Sequence, residues 1–315
     1  MTSTLRRAAV VCAALLALTA CGESAVEPSG GGADPGGDTL VFASIPSEES
    51  TSLQQNYAAV LAMLERETGT TIEFQNATDY AAVIEGMRAG QIDIALFGPF
   101  SYVLAKGQDT GITPIAAVVD AQGDEPGYQS YGITAAGSDI QDLAGFAGRN
   151  VCFVDPNSTS GYLYPTAGLI EAGVDPAAGI TPVFAGGHDA SALAVASGQC
   201  DAGFAYDTIV DTQLIDSGQL QPGQVRVVWR SETIAGSPIA VASQVDPQRR
   251  QVIADAFTQK ANVDYLSAGG FCAAASDCEV GEEAGWGYAS VDDALYDGVR
   301  RVCEVTKAES CTSLS

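Results

Sequence analysis

Basic residues are scarce in this chain of 315 residues: 14 Lys and Arg stand against 39 Asp and Glu, a formal net charge of −25 at pH 7. A surface of that sign repels nucleic acid and anionic lipid, which excludes nucleic acid as a partner. Histidine is rarer still. His188 is the only one and no Cys-x-x-Cys pair accompanies it, so the spacing of a zinc site is missing and no metal is expected. No segment approaches about eighteen uninterrupted apolar residues, which excludes a membrane-spanning helix. Cofactor-binding motifs are also missing, and no cofactor is expected.

The one long apolar run lies at the start. Arg6 and Arg7 precede Ala8 to Leu18, the basic-then-apolar order of an export signal, and the run is too short to cross a bilayer. Leu18-Thr19-Ala20-Cys21 follows, a small-residue cleavage pattern that resembles a bacterial lipobox. On this reading residues 1–20 are a lipoprotein signal peptide, and Cys21 carries a lipid that anchors the exported chain on the outer face of the cell membrane. A plain secretory signal with a chance cysteine is the alternative; either way the mature chain works outside the cytoplasm. The arginine pair leaves both the general and the twin-arginine export routes open. Residues 21–38 are Gly, Pro, Ser, Ala and acid with almost nothing to bury, a flexible tether.

From Thr39 onward the body is long enough for one large or two ordinary domains with a sizeable core. Of eight cysteines, Cys12 leaves with the signal and Cys21 takes the lipid. An even remainder in an oxidising compartment favours disulfides. Short loops select Cys272–Cys278 and Cys303–Cys311, which leaves Cys152–Cys200.

Short apolar runs alternate with helical patterns along this body. Leu40–Ser44, Thr71–Gln75, Ile92–Phe97, Thr113–Val119, Tyr131–Ala135, Val151–Asp155, Thr181–Ala185, Cys200–Tyr206, Val225–Arg230 and Pro238–Ala242 read as strands. Leu53–Thr68, Tyr80–Ala89, Tyr102–Lys106, Tyr162–Ala172, Ala190–Ser197 and Thr208–Ser217 read as helices. The alternation implies an α/β protein with largely parallel sheets. Gly90-Gln91-Ile92-Asp93 has an echo in Gly198-Gln199-Cys200-Asp201; each closes a helix and opens a strand, with Gly suited to the left-handed stop. Two stretches of like design suggest two lobes with a cleft between them. The first is placed at 39–130 plus 236–315 and the second at 131–235. The chain then crosses near Tyr131 and Ile234, and Ala254–Leu266 and Val291–Val302 return as helices to the first lobe.

Asn157-Ser158-Thr159-Ser160-Gly161 falls where a strand gives way to a helix. Free backbone N–H groups at a helix start carry partial positive charge, and three consecutive hydroxyls add donors that rotate toward an oxyanion. Plain N-capping explains one such hydroxyl but not the run. His188, after Gly186-Gly187, could donate to an oxyanion oxygen or simply sit at a helix start. Asp207, at the end of a strand, could accept the O–H of a monoprotonated oxyanion or cap the next helix. Tyr80 and Tyr128 could cover the cleft with rings and hydroxyls, although composition does not distinguish them from the other tyrosines.

Several motifs occur in a telling order. They are Asp79-Tyr80-Ala81, Asp93-Ile94-Ala95 with Phe97-Gly98-Pro99, Pro126-Gly127-Tyr128, Asp155-Pro156-Asn157-Ser158-Thr159-Ser160-Gly161, Gly187-His188, and Trp229-Arg230-Ser231 before Pro238. In that order the chain resembles the phosphate/phosphite/phosphonate ABC-transporter binding proteins over about residues 39–300. The resemblance implies a two-lobed, type II periplasmic binding protein with a ligand cleft between lobes joined by two crossing strands. It implies ligand contacts at Tyr80, Tyr128, Ser158, Thr159, Ser160 and His188, with Asp207 a candidate beside them. It also implies work as a monomer with an ABC permease and its ATPase. Members that bind aminoalkylphosphonates place a carboxylate in a Gly-Asp-Pro turn, whereas this chain has Gly236-Ser237-Pro238. The implied ligand is therefore phosphite, phosphate or a short alkylphosphonate, held without chemistry, because a buried ammonium would lack its counter-charge.

Two other functions compete. A ligand-sensing lobe for a membrane receptor would have the same architecture. Ser158, His188 and Asp207 supply the residue types of a serine hydrolase, but no Gly-x-Ser-x-Gly elbow surrounds Ser158.

Overall fold

A computed structural model describes residues 39–314, apart from 49, 110 and 282–284. The proposed signal, tether and lipid-bearing Cys21 lie outside the described residues. The chain runs β1 (Thr39–Ser44), α1 (Ser50–Asn56), α2 (Ala58–Thr68), β2 (Thr71–Asn76), α3 (Tyr80–Arg88), β3 (Ile94–Leu96), α4 (Pro99–Gln108) and β4 (Thr113–Val119). A short strand, β5 (Gly127–Tyr128), leads into β6 (Ser130–Ala135), β7 (Asn150–Phe153), α5 (Tyr164–Glu171), β8 (Thr181–Phe184), α6 (His188–Ala196), β9 (Ala202–Tyr206), α7 (Leu214–Asp216) and β10 (Val225–Arg230). It returns through β11 (Ile234–Ala235) to β12 (Pro238–Val241), α8 (Pro247–Lys260), α9 (Val263–Ala268), β13 (Gly287–Ser290) and α10 (Asp297–Thr306).

The strands form a six-stranded sheet of order β13-β4-β12-β3-β1-β2 and a five-stranded sheet of order β10-β6-β9-β7-β8. β5 and β11, the two crossing segments, pair antiparallel as a ribbon of their own, Tyr128 opposite Ile234. The largely parallel sheets expected from the sequence are in fact mixed. β1 pairs parallel with β2 and β3, and β7 pairs parallel with β8 and β9, but β12 lies antiparallel between β3 and β4. β6 likewise lies antiparallel between β9 and β10. β12 and β6 arrive from the other sheet, without the helical crossover that enforces parallel pairing, and at the edge of the first sheet β13 also pairs antiparallel with β4.

The Gly-Gln-x-Asp echo is a repeated joint. Gly90 and Gly198 take φ of 72° and 77°, where a side chain would be strained. Asp93 then accepts the Val41 N–H through its carboxylate at 2.9 Å and donates its own N–H to the Val41 carbonyl at 3.0 Å. Asp201 does the same to Asn150, at 2.9 Å in both directions. Each Asp thus clamps its strand's start to the neighbouring parallel strand.

Several helices differ from expectation: Thr208–Ser217 is a π-helical turn over Ile209–Gln213 followed by the short α7, and Val291–Val302 is a 3-10 turn over Asp293–Tyr296 leading into α10. Leu53–Thr68 is broken at Tyr57, whose fully buried ring packs on Phe42 with centroids 5.0 Å apart. Ala254–Leu266 is two helices: Asp246 caps α8, which stops at Lys260, and Asn262 caps α9 by accepting the Tyr265 N–H. The three expected disulfides, Cys152–Cys200, Cys272–Cys278 and Cys303–Cys311, are present. Among the described residues no helix is long and apolar enough to cross a membrane.

Candidate ligand-binding site

β7 delivers the chain to Asp155, and the hydroxyl run winds into a π-helical turn over Thr159–Leu163 before α5 begins. The wide turn is closed by the Leu163 N–H donating to the Ser158 carbonyl at 3.0 Å. Gly161 is required there, because a Cβ would lie 2.4 Å from the Val154 side chain. Ser158, Thr159 and Ser160 are all buried, at 1%, 1% and 2% exposure. As first-turn residues, Thr159 and Ser160 have no intrahelical acceptor for their N–H groups.

The hydroxyl oxygens in this turn meet donors. Ser158 Oγ accepts the Gly161 N–H at 3.1 Å, and Thr159 Oγ1 accepts the Phe100 N–H at 2.8 Å. Phe100 belongs to the first turn of α4, on the first sheet's side, so this bond joins the two lobes. Ser130 donates its hydroxyl to the Ser160 carbonyl at 2.6 Å and fixes the turn from β6.

His188 opens α6, buried against the edge of the Tyr206 ring. Its Nδ1 accepts the Tyr206 N–H at 3.1 Å, and its Nε2 stands 3.5 Å from Ser158 Oγ. Burial drives its pKa down to about 3, so the ring is neutral near pH 7. With Nδ1 spent as an acceptor, the neutral ring carries its proton on Nε2, directed toward Ser158. The consequence is consistent across the two hydroxyls: Ser158 and Thr159 use lone pairs on protein donors, the Gly161 and Phe100 N–H groups, and keep their O–H hydrogens for something else, while the neutral His188 ring stands beside them with its Nε2–H toward Ser158. Such a set suits an anion, and no Lys or Arg takes part in it.

Tyr80 and Tyr128 are also buried, in the first turn of α3 and in the crossing ribbon respectively. Asp155 joins the hydroxyl turn to α3: its carboxylate accepts the Asn157 N–H at 2.7 Å and also meets the Tyr80 backbone N–H. Burial nevertheless keeps its pKa above the usual carboxylate range.

Asp207 is occupied by backbone. Its two oxygens accept the Gln129 N–H at 2.9 Å and the Thr208 N–H at 3.0 Å, and its own N–H donates to the Gln129 carbonyl at 3.0 Å. It therefore ties the residue after Tyr128 to the end of β9. A hydrolase triad is not assembled, since the group behind His188 Nδ1 is a backbone donor and not a carboxylate. Sequence reasoning missed Phe100, Ser130 and the loop after β1, where Ser47 accepts the His188 N–H through its carbonyl at 2.7 Å. The rule that ligands bind beyond the carboxyl ends of strands in open α/β sheets would have directed attention to that loop.

Two sheets exchanging strands through paired crossing segments, with a neutral donor cluster where the lobes meet, define a type II periplasmic binding protein. The family model described as ABC transporter, phosphonate, periplasmic substrate-binding protein matches residues 42–273, and the chain belongs to that family. It is 49% identical over 311 residues to the phosphate-import protein PhnD of Mycolicibacterium smegmatis, covering 96% of each chain. Among solved structures it is similar to a binding protein component of an ABC phosphonate transporter from Pseudomonas aeruginosa, with TM-score 0.73, 24% identity and coverage of 85% and 86% of the two chains. It is also similar to PhnD1 of Prochlorococcus marinus in complex with methylphosphonate, with TM-score 0.70, 18% identity and coverage of 86% and 99%. The protein is thus an extracytoplasmic, non-catalytic binding component of an ABC importer.

Proposed function

We propose that this chain captures a single small phosphorus oxyanion, namely phosphite, phosphate or a short alkylphosphonate, and presents it as a monomer to an ABC permease driven by its ATPase. Cys21 would hold it by a lipid beside that importer, with residues 21–38 as the tether. The observation that carries the reading is the donor cluster: hydroxyls whose hydrogens are left for an anion, beside one neutral imidazole. The relative named for phosphate import supports the same class of ligand.

Ligand contacts are assigned to Tyr80, Tyr128, Ser158, Thr159, Ser160 and His188, with Asp207 setting the segment that carries Tyr128. The first lobe comprises residues 39–130 and 236–315, the second 131–235, and closure brings the two sets of contacts together. Charge-assisted hydrogen bonds in a dry pocket supply the affinity. Ser237, where a carboxylate would be needed for an amine, sets the preference against 2-aminoethylphosphonate.

Calorimetry against phosphite, phosphate, methylphosphonate, hypophosphite and 2-aminoethylphosphonate tests this. One of the first three should bind tightest, and Ser158→Ala with Thr159→Ala should weaken it about tenfold or more, the loss of about one charge-assisted hydrogen bond. Tighter binding of the aminophosphonate would refute the cargo assignment, and unaltered affinity in the double variant would remove the turn from the site.

A further inference from the structure

Ser47 lies at the tip of the loop after β1, 1% exposed, and its Oγ has no hydrogen-bond partner. A buried hydroxyl without a partner carries its full desolvation cost, so it calls for an explanation. Other buried hydroxyls around the site are used: Thr159 on the Phe100 N–H, Ser130 on the Ser160 carbonyl, and Ser191 on the Phe204 carbonyl at 2.8 Å. Thr134 and Thr208 also carry buried hydroxyls without a partner, but of these three residues only Ser47 stands on a segment bonded to His188 across the cleft.

The loop is held firmly where it is. The Ile45 N–H donates to the Leu96 carbonyl at 3.2 Å, the Ser47 N–H folds back to the Ile45 carbonyl at 2.9 Å, and the Ser47 carbonyl accepts the His188 N–H at 2.7 Å. The backbone of Ser47 is therefore satisfied and only its side chain is left over. His188 Nε2 is in turn 3.5 Å from Ser158 Oγ, which places Ser47 beside the donor cluster but on the other lobe.

We infer that the Ser47 hydroxyl is a ligand-contacting donor supplied by the first lobe, completing the coordination of a tetrahedral phosphorus oxyanion held chiefly by the second. This rests on the oxyanion reading above. It strengthens the coupling in that reading: Ser158, Thr159, Ser160 and His188 all lie on the second lobe, and a hydroxyl on the β1 loop adds to Tyr80 and Tyr128 a first-lobe donor that reaches the ligand only when the lobes meet. A hydroxyl also suits a ligand oxygen better than a cation would here, because it adds a donor without a charge that must itself be paired.

The test is calorimetry of Ser47→Ala and Ser47→Cys with phosphite, phosphate and methylphosphonate, alongside the melting temperature of each protein without ligand. For whichever anion the unaltered protein binds tightest, Ser47→Ala should weaken binding about tenfold, the loss of one hydrogen bond to a charged group. Its unliganded melting temperature should not fall, since a partnerless hydroxyl has been removed. Ser47→Cys, near in size but a weak donor, should lose affinity as well, and it decides the matter should the alanine variant fail to fold. Unchanged affinity in both variants, or a lowered melting temperature with unchanged affinity, overturns the inference. A Ser158→Ala control that loses affinity in the same series would show the oxyanion site itself intact. Absence of binding to all three anions by the unaltered protein would refute the oxyanion reading and this inference with it.

Discussion

Glu48 and His188 face each other's lobes, and burial moves their pKa values in opposite directions. Glu48 is pushed up to about 7, first by burial and then by the charge of Asp189 on α6, with Glu279 adding a little; its hydrogen bond from Asn56, 3.1 Å long, works against the shift. A carboxyl raised on folding binds a proton that the unfolded chain has already released. Its stabilisation is complete below the ordinary value of 4.5 and is lost as pH rises through about 7. Glu48→Gln should therefore raise the melting temperature at pH 8 and change it little at pH 5. Equal shifts at both values would show that Glu48 stays ionised in the folded protein. The hydroxyl run illustrates what residue-level reading reaches and where it stops. Three adjacent hydroxyls before a glycine mark an anion site by residue type alone, but which lone pairs are spent depends on Phe100 and Gly161. The first of these is distant in sequence, and its backbone bond leaves no trace in composition.

At the scale of elements, most strands and helices were legible because their apolar spacing is regular, and the Gly-Gln-x-Asp joints were legible because they repeat. The reversed strands were not, since the sequence of β6 or β12 carries no mark of the direction in which it will be inserted. The crossings near Tyr131 and Ile234 were expected, but β5 and β11 as strands were not legible, two residues each, too short for any period. Asp207 is the residue that ties this ribbon down, with Gln129 and Thr208 both donating to it. Asp207→Ala leaves two backbone donors without their acceptor and should cost about 1–3 kcal/mol of stability for each one that stays buried. Urea unfolding checks this, and Asp207→Asn, which keeps one acceptor oxygen, should recover part of the loss. A stability unchanged by the alanine variant would return Asp207 to the list of ligand contacts.

Across the whole molecule, the disulfides divide by the span they close. Cys152–Cys200 joins β7 to the residue before the Asp201 joint, with a sequence separation of 48, whereas the other two close loops of 6 and 8. The loop-entropy model assigns the long bridge about 4 kcal/mol and each short one about 2 to 3 kcal/mol. Replacing Cys152 and Cys200 together with alanine should lower the urea midpoint more than either of the other paired replacements. An equal or smaller effect would show that the unfolded chain is already compact in this region.

The strands that arrive from the opposite lobe have a last consequence, for the order of assembly. Between β3 and β4 the first sheet needs β12, which is made only after every strand of the second sheet has been synthesised. The second sheet, by contrast, is one uninterrupted stretch from β6 to β10 and can close on itself as soon as it is released. The lobe that begins the chain is thus the one that must wait, its middle left open until the returning strand fills it.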